Sequence, residues 1–62
     1  MDKYVYEVQS RKPHGKHYTR VRTNSYNQAM LYYRMINIGN GYSKRLLENG
    51  KVIFRLQSHK YL

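Results

Sequence analysis

The stretch Asn24-Ser25-Tyr26-Asn27-Gln28-Ala29-Met30-Leu31-Tyr32-Tyr33-Arg34-Met35-Ile36-Asn37-Ile38-Gly39 constrains this chain more than any other, because it alone carries a complete set of helix signals. Ser25 and Gln28 have the Ser-x-x-Gln spacing of a capping box, in which two side chains satisfy backbone amides left unpaired at a helix start. Ala29, Met30, Tyr33 and Ile36 recur at three- and four-residue steps, which stacks them on one helical face, and Gly39 supplies a stop. The pattern predicts a helix over residues 26–38. Leu31, Met35 and Ile38 fall off that stripe, so they either wrap around the edge of the structure or form a second apolar surface.

The flanking segments read as strands in pairs. Residues 3–9 are rich in aromatic and β-branched side chains, with Tyr4, Tyr6 and Val8 on one face. Ser10-Arg11-Lys12-Pro13-His14-Gly15 interrupts the run as a loop, and residues 17–23 return as a second strand. Placing Gln9 opposite Lys16 sets Tyr6 across from Thr19 and Tyr4 across from Val21 on the core side. The same register gathers Lys16, Tyr18, Arg20 and Arg22 on the other side.

After the helix, Gly39-Asn40-Gly41 lets the chain reverse, and residues 42–48 and 51–57 flank Asn49-Gly50. That dipeptide suits a type I′ hairpin turn, whose two central residues both need positive φ. With Glu48 opposite Lys51, unbroken pairing sets Leu47 across from Val52, Arg45 from Phe54 and Ser43 from Leu56 on the core face. Tyr42, Lys44, Leu46, Glu48, Lys51, Ile53, Arg55 and Gln57 then lie on the opposite face, and residues 58–62 read as a frayed tail. The predicted architecture is a single α+β domain of ββαββ type, with one helix on one face of a four-stranded antiparallel sheet of order 2-1-3-4. A chain of 62 residues builds only a small core, so a homodimer or a partner would add needed burial.

Charge supplies the functional signal. Twelve Lys and Arg against three acids give a net charge of +9, a self-repelling excess that points to an anionic partner, with nucleic acid the commonest. Both predicted hairpins send cations to the face the helix leaves uncovered. The expected phosphate contacts are Lys16, Arg20, Arg22, Lys44, Lys51 and Arg55, with Tyr18 and Tyr42 placed to stack or hydrogen-bond. Arg11, Lys12 and His14 form a second basic site on the first hairpin loop. Duplex DNA is expected over RNA, since no signature of an RNA-binding module is present.

Other chemistries find less support. Asp2, Glu7 and Glu48 are the only carboxylates, too few and too dispersed for paired acid–base work, so no enzyme is expected. His14 and His17 lack a third metal ligand nearby, and neither a metal nor a cofactor is expected. Gly39-Asn40-Gly41-Tyr42-Ser43-Lys44 has the wrong spacing for a phosphate-binding loop and precedes a strand instead of a helix. Without cysteine there is no disulfide, and no apolar run suits a signal peptide or a membrane span, which points to the cytoplasm.

The competing class is a protein-binding module that docks on an acidic surface of a larger protein, using Leu31, Tyr32, Met35 and Ile38. In size, in the Ser25-x-x-x-Ala29 helix start that follows a strand, and in its Tyr-, Asn- and Lys-rich style, the chain resembles small phage and prophage early proteins. Phage inhibitors of RNA polymerase are among them, and several set a helix against a small antiparallel sheet. The resemblance implies a role in host takeover, in the host cytoplasm, although this chain is far more basic than those inhibitors. It is also similar, more loosely, to the sheet-reading arm-binding domains of phage integrases, which carry three strands before the helix where two are expected here.

Overall fold

The computed structural model describes residues 4–57. Strand β1 spans Tyr6–Arg11, β2 Tyr18–Thr23, helix α1 Tyr26–Met35, β3 Ser43–Glu48 and β4 Lys51–Gln57. The sheet is antiparallel throughout, in the order β2-β1-β3-β4, as the sequence predicts. Lys3 and the predicted tail at 58–62 lie outside the described residues.

The helix starts where the capping signal places it. The Ser25 hydroxyl accepts the Gln28 amide at 3.3 Å. The reciprocal half of the box runs through a relay: the Ser25 amide donates to Thr23 Oγ1, and that hydroxyl donates to Gln28 Oε1. The helix ends earlier than predicted, at Met35 instead of residue 38, and Gly39 is not its stop. Ile36 is already extended, at φ −73 and ψ 119, with its amide bonded to Tyr32 O. The Lys44 ammonium then donates to the Tyr33 and Ile36 carbonyls at 2.6 and 3.0 Å. A cation from β3 thus fills the capping role that a left-handed glycine would otherwise take at a helix C-terminus.

Val8, Ala29 and Leu46 are fully buried and form the centre of the core, with Tyr6, Val21, Met30, Tyr33 and Ile36 packed around them. The predicted helix stripe is therefore the buried one. Val8 and Leu46 face each other across β1 and β3, directly under Ala29's side of the helix. The helix rests on β1, β2 and β3. Strand β4, the edge strand that the helix does not rest on, is exposed along its whole length, although the Phe54 ring centre comes within 6.4 Å of that of Tyr33.

Both hairpins depart from the predicted registers. In the first, Tyr6 faces Thr23, Glu7 faces Arg22 and Val8 faces Val21, four residues away from the expected alignment. A bulge follows: Gln9 faces Thr19 and Ser10 faces Tyr18, so Arg20 is the extra residue. In the second, Asn49 (φ 52) and Gly50 (φ 83) form the expected turn, and Glu48–Lys51 and Leu47–Val52 pair as predicted. Ile53 then bulges, which brings Leu46 opposite Phe54, Arg45 opposite Arg55 and Lys44 opposite Leu56. Side chains alternate with period two, so one inserted residue exchanges the faces of everything beyond it on one strand relative to its partner. Leu46, rather than Leu47, joins the core under the helix, Leu47 is buried on the other face of the sheet, and Lys44 and Arg45 exchange sides.

Candidate nucleic-acid interface

The helix-free face is legible as three rows of side chains running across the strands. One row holds Arg22, Glu7, Leu47 and Val52. Next come Thr19, Gln9, Arg45 and Arg55, followed by Arg11, Ser43 and Gln57. The rows follow from strand pairing, because directly opposed residues share a face.

The first row is electrically closed. Arg22 Nε donates to Glu7 Oε2 at 2.9 Å, the only ion pair among the described residues. The other two rows carry three arginines and no carboxylate. Arg45 stands directly opposite Arg55, a like-charge cross-strand pair that costs folding stability. Arg45 Nε donates to Gln9 Oε1 at 2.8 Å, and Gln9 in turn donates to Thr19 Oγ1 at 3.2 Å, so a polar chain across three strands fixes the guanidinium. Arg11 Nε donates to Ser43 Oγ at 3.3 Å. Each of these two guanidinium groups is held through Nε, and their terminal nitrogens have no hydrogen-bond partner among the described residues.

Arg11, Arg45, Arg55, His17, Ser43 and Gln57, together with Lys44 and Leu56 from the helix side of the sheet, line an open basin of about 430 Å³. Burial, and then the charges of Arg45 and Arg11, hold the His17 imidazole below its ordinary proton affinity. His17 is therefore predominantly neutral near pH 7, able to accept a hydrogen bond at one ring nitrogen and donate at the other. What the basin offers an anion is a concave set of fixed N–H donors under a positive field, the arrangement that suits the oxygens of a phosphate.

This set differs from the one predicted, and the two bulges are the reason. Of the eight expected contacts, Arg22 and Arg55 lie on the helix-free face, and Arg22 is already paired. Lys44 is buried at the end of α1, over the Tyr33 ring, where burial lowers its proton affinity. Arg20 turns toward the opposite face: Nη1 donates to Ser10 Oγ at 3.3 Å and the guanidinium stacks over Tyr18. Tyr18 is paired with that same Ser10, on the helix side with Lys44 and Val8. Hydrogen bonding to Ser10, followed by the charge of Arg20, lowers its phenol proton affinity despite some burial. Lys51 faces Glu48, whose carboxylate receives the Tyr6 hydroxyl at 3.5 Å, again on the helix side. Lys16 and Tyr42 are exposed in loops.

Of the predicted loop site, Arg11 is the last residue of β1 and joins the basin, Lys12 is exposed, and His14 lines a neighbouring cleft. Arg45, His17, Ser43 and Gln57 are polar members of the basin that sequence reasoning missed. Lys44-Arg45-Leu46-Leu47 offers two cations followed by two leucines, so alternation alone cannot choose which pair of the four points inward. No cluster of metal-ligating side chains occurs among the described residues. The outward set on α1 is as expected for Leu31, Tyr32 and Met35, which are all exposed, whereas Ile38 lies beyond the helix and is partly buried. None of the described helices is long and apolar enough to cross a membrane.

The chain matches no family model, no curated protein and no solved structure.

Proposed function

We propose that this chain is a cytoplasmic, non-enzymatic nucleic-acid-binding module that grips the phosphate backbone through the helix-free face of its sheet. The contacts are Arg11, Arg45 and Arg55, with His17 and Ser43 completing the donor set. One observation carries this reading: Arg45 and Arg55 stand opposite each other beside Arg11, with no carboxylate among the described residues to neutralise them. A folded chain keeps such a repulsive arrangement at a cost, and an anion bound between the arginines removes that cost. A regular strand carries neighbouring cations at a spacing that can follow successive phosphates.

The test is a titration of labelled nucleic acid at several salt concentrations. Three neutralised phosphates give a log–log salt slope of about −2 to −3. Changing Arg11, Arg45 and Arg55 together to Gln, with folding verified, should abolish binding at moderate salt. Unchanged affinity in that variant would move the interface elsewhere.

A second reading has an observation of its own. Leu31 and Met35 are 56% and 63% exposed one turn apart on α1, with Tyr32 beside them. Such a patch suits docking on another protein. Its own test is binding to a protein target that is lost when Leu31 and Met35 are made polar and kept when the three arginines are neutralised.

A further inference from the structure

A second, smaller cavity of about 310 Å³ opens beside the arginine basin, lined by Arg11, Pro13, His14, Asn40, Gly41 and Gln57. Arg11 and Gln57 line both cavities, so the two are neighbours with a shared wall. The walls come from loops far apart in sequence: Pro13 and His14 follow β1, whereas Asn40 and Gly41 precede β3.

The two loops are held at contact distance. Gly41 has φ +82, and a Cβ at that position would lie 2.9 Å from Pro13 Cγ, so no side chain fits there without spreading the walls. On the other side, Gly15 N donates to Lys12 O at 2.9 Å, closing a turn with Pro13 and His14 at its centre. His14 takes φ 62, a left-handed conformation that a type II turn requires at its third position and that glycine or asparagine usually supplies. A histidine there costs conformational energy and sets an imidazole at the cleft.

The cleft differs in chemistry from the basin. It combines the apolar Pro13 ring and the flat His14 imidazole with the amides of Asn40 and Gln57, each of which carries both donor and acceptor atoms. Such a lining suits a flat heteroaromatic ring with mixed donors and acceptors along its edge. A phosphate in the basin and a ring in the cleft would belong to one nucleotide, or to adjacent ones, with Arg11 between them.

Building on the phosphate-binding reading above, we propose that the cleft receives one unstacked nucleobase, which makes the ligand single-stranded nucleic acid rather than the closed duplex expected from the sequence. In a duplex the bases are stacked and paired, and extruding one costs a few kcal/mol. A strand with unpaired bases can fill both cavities without that cost.

Fluorescence anisotropy on the full chain tests this with three probes of equal phosphate count on the labelled strand: a short single strand, the same strand annealed to its complement, and an abasic strand. The expected result is about tenfold tighter binding of the intact single strand than of either other probe, which is the scale of one stacked base. His14→Gly should bring the intact strand down to the abasic level while leaving the salt slope unchanged. Glycine accepts the left-handed backbone, so this variant keeps its fold.

Equal binding of intact and abasic strands by the unaltered chain overturns the base site and leaves the phosphate reading standing. Tighter binding of the duplex than of the single strand also overturns the base site. Failure to bind any of the three overturns both.

Discussion

The Lys44 ammonium lies 2.6 Å from the Tyr33 carbonyl and 4.7 Å from the centre of the Tyr33 ring, so one cation of β3 both ends the helix and covers its last aromatic side chain. Burial makes the charge costly there, and the two carbonyls it meets at the negative end of the helix offset that cost. The Lys44 ammonium therefore serves the fold, although the residue also borders the basin. Lys44→Met keeps the stem and removes the donors, and should destabilise the chain by about 1.5–3 kcal/mol in urea unfolding. Nucleic-acid affinity per folded molecule should be unchanged.

Arg55 gives the opposite outcome. It faces Arg45 and makes no hydrogen bond among the described residues, so Arg55→Gln relieves repulsion and loses no contact. Stability should rise by about 0.2–1 kcal/mol. Binding should weaken and the salt slope should flatten by about 1. A variant that is more stable and also binds less well separates a residue kept for ligand from one kept for folding.

Arg20 and Lys51 carry the same formal charge but lie on the helix side of the sheet. Changing each to Gln should leave the salt slope where it is, because side chains on the helix side of the sheet make no direct contact with phosphates bound on the other face. A slope that fell equally for Arg20→Gln and Arg55→Gln would mean that net charge, and not this basin, governs binding.

Acid should strengthen binding through His17. Burial and the neighbouring Arg45 and Arg11 hold its proton affinity below the ordinary imidazole value of 6.5, with Arg55 and Lys44 lining the same basin. For the free protein the sign follows directly. The unfolded chain takes up the proton first as pH falls below 6.5, so the stability present above that value declines through the folded-state pKa. A bound phosphate counters the guanidinium charges and raises the proton affinity of His17, so binding takes up a proton. Affinity should therefore increase between about pH 8 and about pH 5, and His17→Asn should flatten the increase relative to the unaltered chain. Anisotropy titrations across that range measure it.

The helix start, the Asn49-Gly50 turn, the strand order and the inward helix stripe all rest on contacts between residues close in sequence or on a simple connection rule. Ser25 reaches Gln28 within one turn, and Asn49 with Gly50 needs only its own two backbone conformations. Those features were legible for that reason. Sheet faces are different, because they depend on how two strands are aligned along their whole length. Neither Arg20 nor Ile53 carries a local mark that it will bulge. Each bulge satisfies demands made elsewhere: Leu46 has to meet Val8 under Ala29, and Lys44 has to reach the end of a helix eight to eleven residues away.

By itself, then, the order of residues determined the number and type of elements, their turns and a charge excess that asks for an anionic partner. Tertiary packing alone decided which cations face outward together. A side chain's face reverses with a single inserted residue, and whether one is inserted depends on the packing energy of the whole core, which no local run of residues contains.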